Sequence, residues 1–167
     1  MEELCLMCPR ACSVNRRNRT GFCGVNEKLK IARASLHQWE EPCISYKNGS
    51  GTIFFSGCSL GCVFCQNRDI SFKRIGKEIT HSRLIEIFYE LKDKGAHNIN
   101  LVTPSHFINS LAPLLESAPL PVVWNSSAFE TVESLKLLEN KVDIFLPDFK
   151  FSKSEVAKKY SNAPNYP

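Results

Sequence analysis

The sequence predicts an α/β fold whose parallel strands are joined by right-handed helical crossovers, behind a cysteine-rich N-terminal extension. Three observations carry this. From residue 51 onward, short runs rich in Ile, Val, Leu and Phe alternate with segments of helical period. The runs are bounded by Gly, Pro, Asn and Ser, as expected of strands covered on both faces. Residues 1–50, by contrast, hold five of the eight cysteines and little hydrophobic periodicity. The chain therefore divides into a head with its connecting segment (1–50) and an α/β unit (51–167).

In order, Cys5 to Cys23 forms the head. A connecting stretch with Trp39-Glu40-Glu41-Pro42-Cys43 follows and ends in the turn-rich Asn48-Gly49-Ser50-Gly51. Thr52–Phe55 reads as a short buried strand running into a cysteine loop. Leu84, Ile87, Phe88 and Leu91 fall at i, i+3, i+4 and i+7, which predicts an amphipathic helix over 82–94 with Gly95 at its C′ position. A strand is expected over 98–102, stopped by Pro104. A helix is expected over 107–116 through Leu111, Leu114 and Leu115, with Pro113 as its weak point. A third strand is expected over 120–125. Val132, Leu135 and Leu138 then line one face of a third helix, and 142–149 forms a fourth strand with Pro147 near its end.

Composition narrows the class. In 167 residues, 43% hydrophobic and 23% charged are near globular averages, which excludes a disordered or fibrous chain. No apolar run approaches the ~18 residues of a membrane span, and Met1-Glu2-Glu3 has the wrong sign for a secretory signal. A cytoplasmic protein without a membrane partner is expected, so the eight cysteines read as metal ligands rather than disulfides. Residues 1–35 hold seven Lys/Arg against three Glu, while the rest is balanced, so the whole formal charge of +4 lies in the head. A nucleic-acid patch would interleave aromatics with that charge. Guanidinium groups offsetting clustered thiolates account for it better, and no nucleic-acid partner is expected.

The strongest signal is Cys58-Ser59-Leu60-Gly61-Cys62-Val63-Phe64-Cys65, C-x3-C-x2-C directly after the first expected strand. Gly57 and Gly61 let this loop wrap tightly. Structural zinc or an ordinary iron–sulfur cluster takes four protein ligands. Three leave one coordination position for a non-protein group. The alternative is a structural zinc completed by a fourth ligand such as Cys43. A second set, Cys5-x2-Cys8-x3-Cys12-x10-Cys23, supplies four thiols, enough for a closed zinc site or a second iron–sulfur cluster, and the sequence does not choose between them. Cys43 is left over and reads as a buried thiol.

At these residues the chain resembles the radical S-adenosylmethionine (SAM) superfamily, and within it the proteins named after pyruvate formate-lyase activating enzyme. The likeness extends through Ser50–Cys58, Cys65-Gln66-Asn67, Asn98–Pro104 and Leu146-Pro147-Asp148-Phe149-Lys150, and through Cys8-Pro9-Arg10 and Cys23-Gly24 in the head. The resemblance implies a partial parallel (β/α) barrel, of which about four of six βα units are present. It implies a [4Fe–4S] cluster on Cys58, Cys62 and Cys65 whose open iron chelates SAM. It further implies an oxidoreductase that cleaves SAM reductively to a 5′-deoxyadenosyl radical for hydrogen abstraction, a reductant such as flavodoxin or ferredoxin, and a glycyl radical enzyme as candidate protein substrate.

Phe64 matches the aromatic residue that lies near the adenine in that superfamily. Asn67, Thr103, Asn125, Asp148 and Lys150 are further candidates for holding SAM or substrate. The usual glycine-rich segment ending in Glu is replaced here by Thr103, Ser105 and His106. Plainer readings stand beside these: turn chemistry for Asn125, a surface ion pair for Asp148 with Lys150, and a helix-start polar residue for His106. With two βα units missing after Tyr166, the chain is expected to be a truncated form with impaired SAM affinity, or a non-catalytic Fe–S or zinc module.

Overall fold

Four of the apolar runs become neighbouring parallel strands at the centre and one edge of a six-stranded mixed sheet. The computed structural model describes residues 4–166; Met1-Glu2-Glu3 and Pro167, at the two ends of the regions drawn above, lie outside the described residues. The strands are β1 (Lys30–His37), β2 (Ser50–Phe55), β3 (Lys77–Glu78), β4 (Ile99–Val102), β5 (Val122–Ser126) and β6 (Ile144–Pro147), in the spatial order β3-β1-β2-β4-β5-β6. β2, β4, β5 and β6 are parallel, and Ile53, Leu101, Trp124 and Phe145 share one register row across them. All four expected strands are therefore present: β2 starts two residues earlier than expected, β5 is shifted toward Ser126, and β4 and β6 are shorter.

The helix α3 (His81–Asp93) forms as its periodicity requires. The Thr80 side chain caps its N-terminus by accepting from the Arg83 amide, and Gly95, with φ of +86°, follows its C-cap. Leu84, Ile87, Phe88 and Leu91 are buried against Ile53, Phe55, Leu101 and Trp124, forming the main core. Burying each such side chain stabilises the fold by roughly 1.5–3 kcal/mol. A second apolar cluster of Leu60, Cys62, Phe129, Phe151, Ala157 and Ala163 lies beneath the cysteine loop. It joins that loop to α6 (Ser154–Ser161).

Three expectations need correction. The connecting segment is not merely a linker: β1 pairs antiparallel with β2, so the sheet begins before residue 51. A bulge between Ile31 and Arg33 breaks its two-residue period, placing Ile31, Ala34 and Leu36 against the core at uneven spacing. The single helix expected over 107–116 is three pieces: a 3₁₀ turn (Ser105–Phe107), α4 (Ile108–Leu111) and a second 3₁₀ turn (Leu115–Ser117), interrupted near Pro113. The third expected helix is only α5 (Val132–Lys136), too short to carry an apolar face. Val132 and Leu135 are exposed and Leu138 alone is buried. Ser134 is buried instead, its hydroxyl donating to the Met7 carbonyl of the head at 2.7 Å.

Candidate metal centre

Because β2, β4, β5 and β6 run parallel, the segments leaving their C-terminal ends meet along one rim of the sheet. The cysteine triad follows β2, Thr103 follows β4, Asn125 and Ser126 close β5, and Asp148 and Lys150 follow β6. Gly57 and Gly61 take φ of +87° and +64°, left-handed values that let the chain turn back on itself around Cys58. Cys62 is buried, and Cys58 and Cys65 are half-buried. The loop is pinned from outside by the Val63 amide donating to the Tyr160 carbonyl of α6 at 2.9 Å.

Each thiol of the triad has its own donors. Burial pushes the Cys58 thiol up, opposed by the backbone N–H groups of Gly61 and Leu60. Burial also raises Cys62, opposed by the Ser161 hydroxyl and the Lys150 ammonium. The Ser71 hydroxyl, on α2 (Arg68–Ser71), donates to Cys65 Sγ at 3.3 Å. Among the described residues, the buried hydroxyls of Ser59 and Ser161 have no hydrogen-bond partner of ordinary geometry, which leaves donor capacity beside the loop. Buried sulfurs that resist ionising alone, yet are surrounded by donors, suit thiolates whose charge is taken up by iron. The residues therefore fit a [4Fe–4S] cluster. Among the described residues, no three His, Cys, Asp or Glu side chains close on a single-ion position.

The other expected residues divide. Phe64 is exposed on the loop, edge-on to Phe151 at 5.9 Å and to Tyr160 at 6.3 Å. Asn67 is exposed at the N-cap of α2, and Thr103 is half-buried at the rim. Asp148 and Lys150 form an ion pair of 2.6 Å. The ammonium is partly buried, which works against its charge, but the carboxylate outweighs this and raises its pKa. Asn125 faces across the sheet, not outward: its amide and that of Asn100 donate to Glu40 Oε2 at 3.2 and 2.9 Å. His106 lies in the 3₁₀ turn that opens this helical segment, as expected, but its ring is buried, with Nε2 2.8 Å from the Ser56 carbonyl.

In the head, Cys8 is pushed up to about 11, chiefly by burial and further by Cys12, Cys5 and Cys23 nearby. Burial also raises Cys23, opposed by Arg16. The Phe22 amide donates to Cys12 Sγ at 3.3 Å. All eight cysteines are free thiols. Cys43 is exposed, not buried as expected, because α1 (Pro42–Ser45) turns only Ile44 and Ser45 inward. It precedes the N-terminal end of β2, whereas the triad follows the C-terminal end.

Sequence reasoning missed the residues that join these parts. Arg10, in the quoted Cys8-Pro9-Arg10, donates to the Ser59 and Leu60 carbonyls of the triad loop and to the Ser161 and Asn162 carbonyls of α6. Tyr166 Oη lies within 2.9 Å of the Ser127 and Asp148 carbonyls and accepts from the Lys150 amide, tying the ends of β5 and β6 together. A cleft of about 980 Å³ opens elsewhere, under the start of the head near Met7, Arg16 and His81. No helix among the described residues is long and apolar enough to cross a membrane.

Comparison with known proteins agrees with the donor chemistry. The chain is 37% identical over 174 residues to an uncharacterized protein of Methanocaldococcus jannaschii, an alignment covering 97% of this chain and 50% of that protein. It thus spans about half the length of the curated relative it matches. A family model described as a 4Fe-4S single cluster domain matches residues 47–162. Of the eight cysteines only Cys58, Cys62 and Cys65 fall inside that match. With the matched segment taking in the whole parallel sheet and the triad loop, the chain belongs to the 4Fe-4S single cluster domain family.

Proposed function

We propose that this chain is a radical SAM protein that cleaves S-adenosylmethionine reductively to a 5′-deoxyadenosyl radical for hydrogen abstraction. One observation carries the reading: the matched single-cluster segment contains three cysteines, all on one loop at the C-terminal rim of parallel strands. Three thiols leave a four-iron cluster one iron without a protein ligand. The chemistry such a group supplies when bound is one-electron reduction of a sulfonium, which breaks its carbon–sulfur bond homolytically.

The chain's own residues bind and orient. Cys58, Cys62 and Cys65 hold the iron. Phe64 offers an exposed ring beside the loop for the adenine. Asn67, Thr103, Asn125, Asp148 and Lys150, at or beyond the C-terminal ends of the parallel strands, supply polar groups for the rest of SAM or for substrate. The parallel strands and α3 belong to a partial (β/α) barrel of the superfamily type. The reductant is a flavodoxin or ferredoxin, and a glycyl radical enzyme is the candidate protein substrate. Cys5, Cys8, Cys12 and Cys23 hold a second cluster or zinc.

Anaerobic reconstitution tests this. Close to four irons per chain should be lost on Cys58→Ala, Cys62→Ala or Cys65→Ala, and dithionite with SAM should release 5′-deoxyadenosine. Colourless protein carrying stoichiometric zinc would make the chain a non-catalytic metal module instead.

A further inference from the structure

Arg10 stands between the two cysteine groups and holds both. Its guanidinium stacks on Phe22 of the head, 3.6 Å from the ring centroid, with Phe129 5.5 Å away. Its Nε donates to the Ser59 carbonyl at 2.9 Å, and its Nη2 donates to the carbonyls of Leu60 at 2.8 Å and Ser161 at 2.6 Å. Nη1 donates to the Asn162 carbonyl. The four acceptors are thus two carbonyls of the triad loop and two at the end of α6.

The identity of the loop carbonyls matters. The Ser59 carbonyl and the Leu60 N–H belong to one peptide unit, and the Leu60 carbonyl and the Gly61 N–H belong to the next. In a planar trans peptide these two groups point in opposite directions. The N–H groups of Leu60 and Gly61 are the pair that oppose the effect of burial on the Cys58 thiol. Arg10 therefore grips the carbonyl ends of the two peptide dipoles whose N–H ends favour the Cys58 thiolate. A cation on the carbonyl side also polarises each peptide, strengthening its N–H as a donor. Donors to cluster thiolates stabilise the extra negative charge of the reduced form and raise the potential.

We propose that Arg10 is a positioning residue for the triad: by holding the Ser59 and Leu60 carbonyls it keeps two backbone N–H groups on Cys58 and so sets the reduction potential of the bound cluster. The proposal rests on the reading of Cys58, Cys62 and Cys65 as the cluster site. It assigns the head a task in that site, since Arg10 is held in place by Phe22. Lysine keeps the charge but cannot hold two carbonyls in one plane as the guanidinium fork does.

The test uses the full chain, anaerobically reconstituted with iron and sulfide, as wild type, Arg10→Lys and Arg10→Gln. Potentiometric titration followed by electron paramagnetic resonance should place both variants at more negative midpoints, Arg10→Gln further than Arg10→Lys. Amide exchange at Leu60 and Gly61 should speed up about tenfold in Arg10→Gln, the loss of one net hydrogen bond. Unchanged midpoints and exchange in both variants would overturn the proposal. Should Arg10→Gln fail to fold by circular dichroism, Arg10→Lys decides alone. Iron content indifferent to Cys58→Ala would remove the cluster reading and the claim about its potential. Exchange in the metal-free chain would still decide whether Arg10 aims those two amides.

Discussion

The α-carbon of Gly57 lies against the carbonyl oxygen of Cys23, so close that a Cβ at residue 57 would stand 2.6 Å from that oxygen. Gly61 makes a similar contact four residues later, where a Cβ would stand 2.9 Å from the Phe22 ring. The head is thus moulded onto the loop at two points, directly behind Cys58 and directly before Cys62. Both contacts need the absence of a side chain as well as a left-handed backbone.

Gly57→Ala should consequently destabilise the chain by about 3 kcal/mol, combining about 1–2 kcal/mol for an L-residue at positive φ with the displacement of the Cys23 carbonyl. Urea unfolding of the metal-free chain measures this, and iron retention after reconstitution should fall in parallel. A variant of wild-type stability would mean that the head can move away freely.

Ser71→Ala removes the hydroxyl that donates to Cys65 Sγ at 3.3 Å. The fold should change little, within about 1 kcal/mol, because α2 is short and partly exposed. The effect should appear at the sulfur: faster iron loss to a chelator than in the wild type, with Ser71→Thr restoring the donor and the retention. Equal loss rates for all three proteins would show that this hydroxyl does not serve the cluster.

His106 predicts an acid sensitivity with a definite sign. Burial, first of all, holds its pKa down at about 4 against an ordinary 6.5. The hydrogen bond donated to the Ser56 carbonyl opposes the shift, and nearby Arg16 adds to it. Between those values the unfolded chain takes up a proton that the folded chain refuses, so stability is fully present above 6.5 and is lost as pH falls toward 4. The loss should reach about 2 kcal/mol by about pH 5, at 1.36 kcal/mol per pKa unit. Urea unfolding at neutral pH and at about pH 5 checks this, with His106→Gln keeping a donor to Ser56 and flattening the acid limb.

The parallel strands and α3 were legible because they are buried on a regular period: Ile53, Leu101 and Trp124 read as strand residues, and Leu84, Ile87, Phe88 and Leu91 as a helix face. β1 was not, because its bulge hides the alternation and its pairing with β2 is a property of the folded sheet. The loop that carries the three cysteines was legible from spacing alone, since a short loop keeps sequence neighbours together. Its support was not. Arg10 lies about fifty residues from Ser59 and more than a hundred and fifty from Asn162 in the chain. An arginine beside a cysteine announces a charge, whereas its four carbonyl partners exist only once the head has docked. The same holds for Tyr166 and for Glu40, whose partners come from other elements.

Glu40 supports the last expectation. It sits in the connecting segment after β1, yet one oxygen, Oε2, receives the side-chain amides of Asn100 on β4 and Asn125 on β5. These two amides project from the face opposite Ile53, Leu101 and Trp124, since they occupy the alternate register rows. Asn100 is fully buried, and among the described residues its Oδ1 has no partner, so the bond from its Nδ2 to Glu40 is the one hydrogen bond that side chain makes. Glu40→Ala should leave a buried amide unpaired and cost about 1–3 kcal/mol. Glu40→Gln keeps a carbonyl acceptor and should cost less, by urea unfolding. On the proposed reading Asn125 also serves SAM, so Glu40→Ala should weaken SAM binding to the reconstituted chain by equilibrium dialysis, and Glu40→Gln should recover most of it. If both variants bind SAM like the wild type while Glu40→Ala is destabilised, Glu40 is a strut for the sheet and Asn125 drops out of the site.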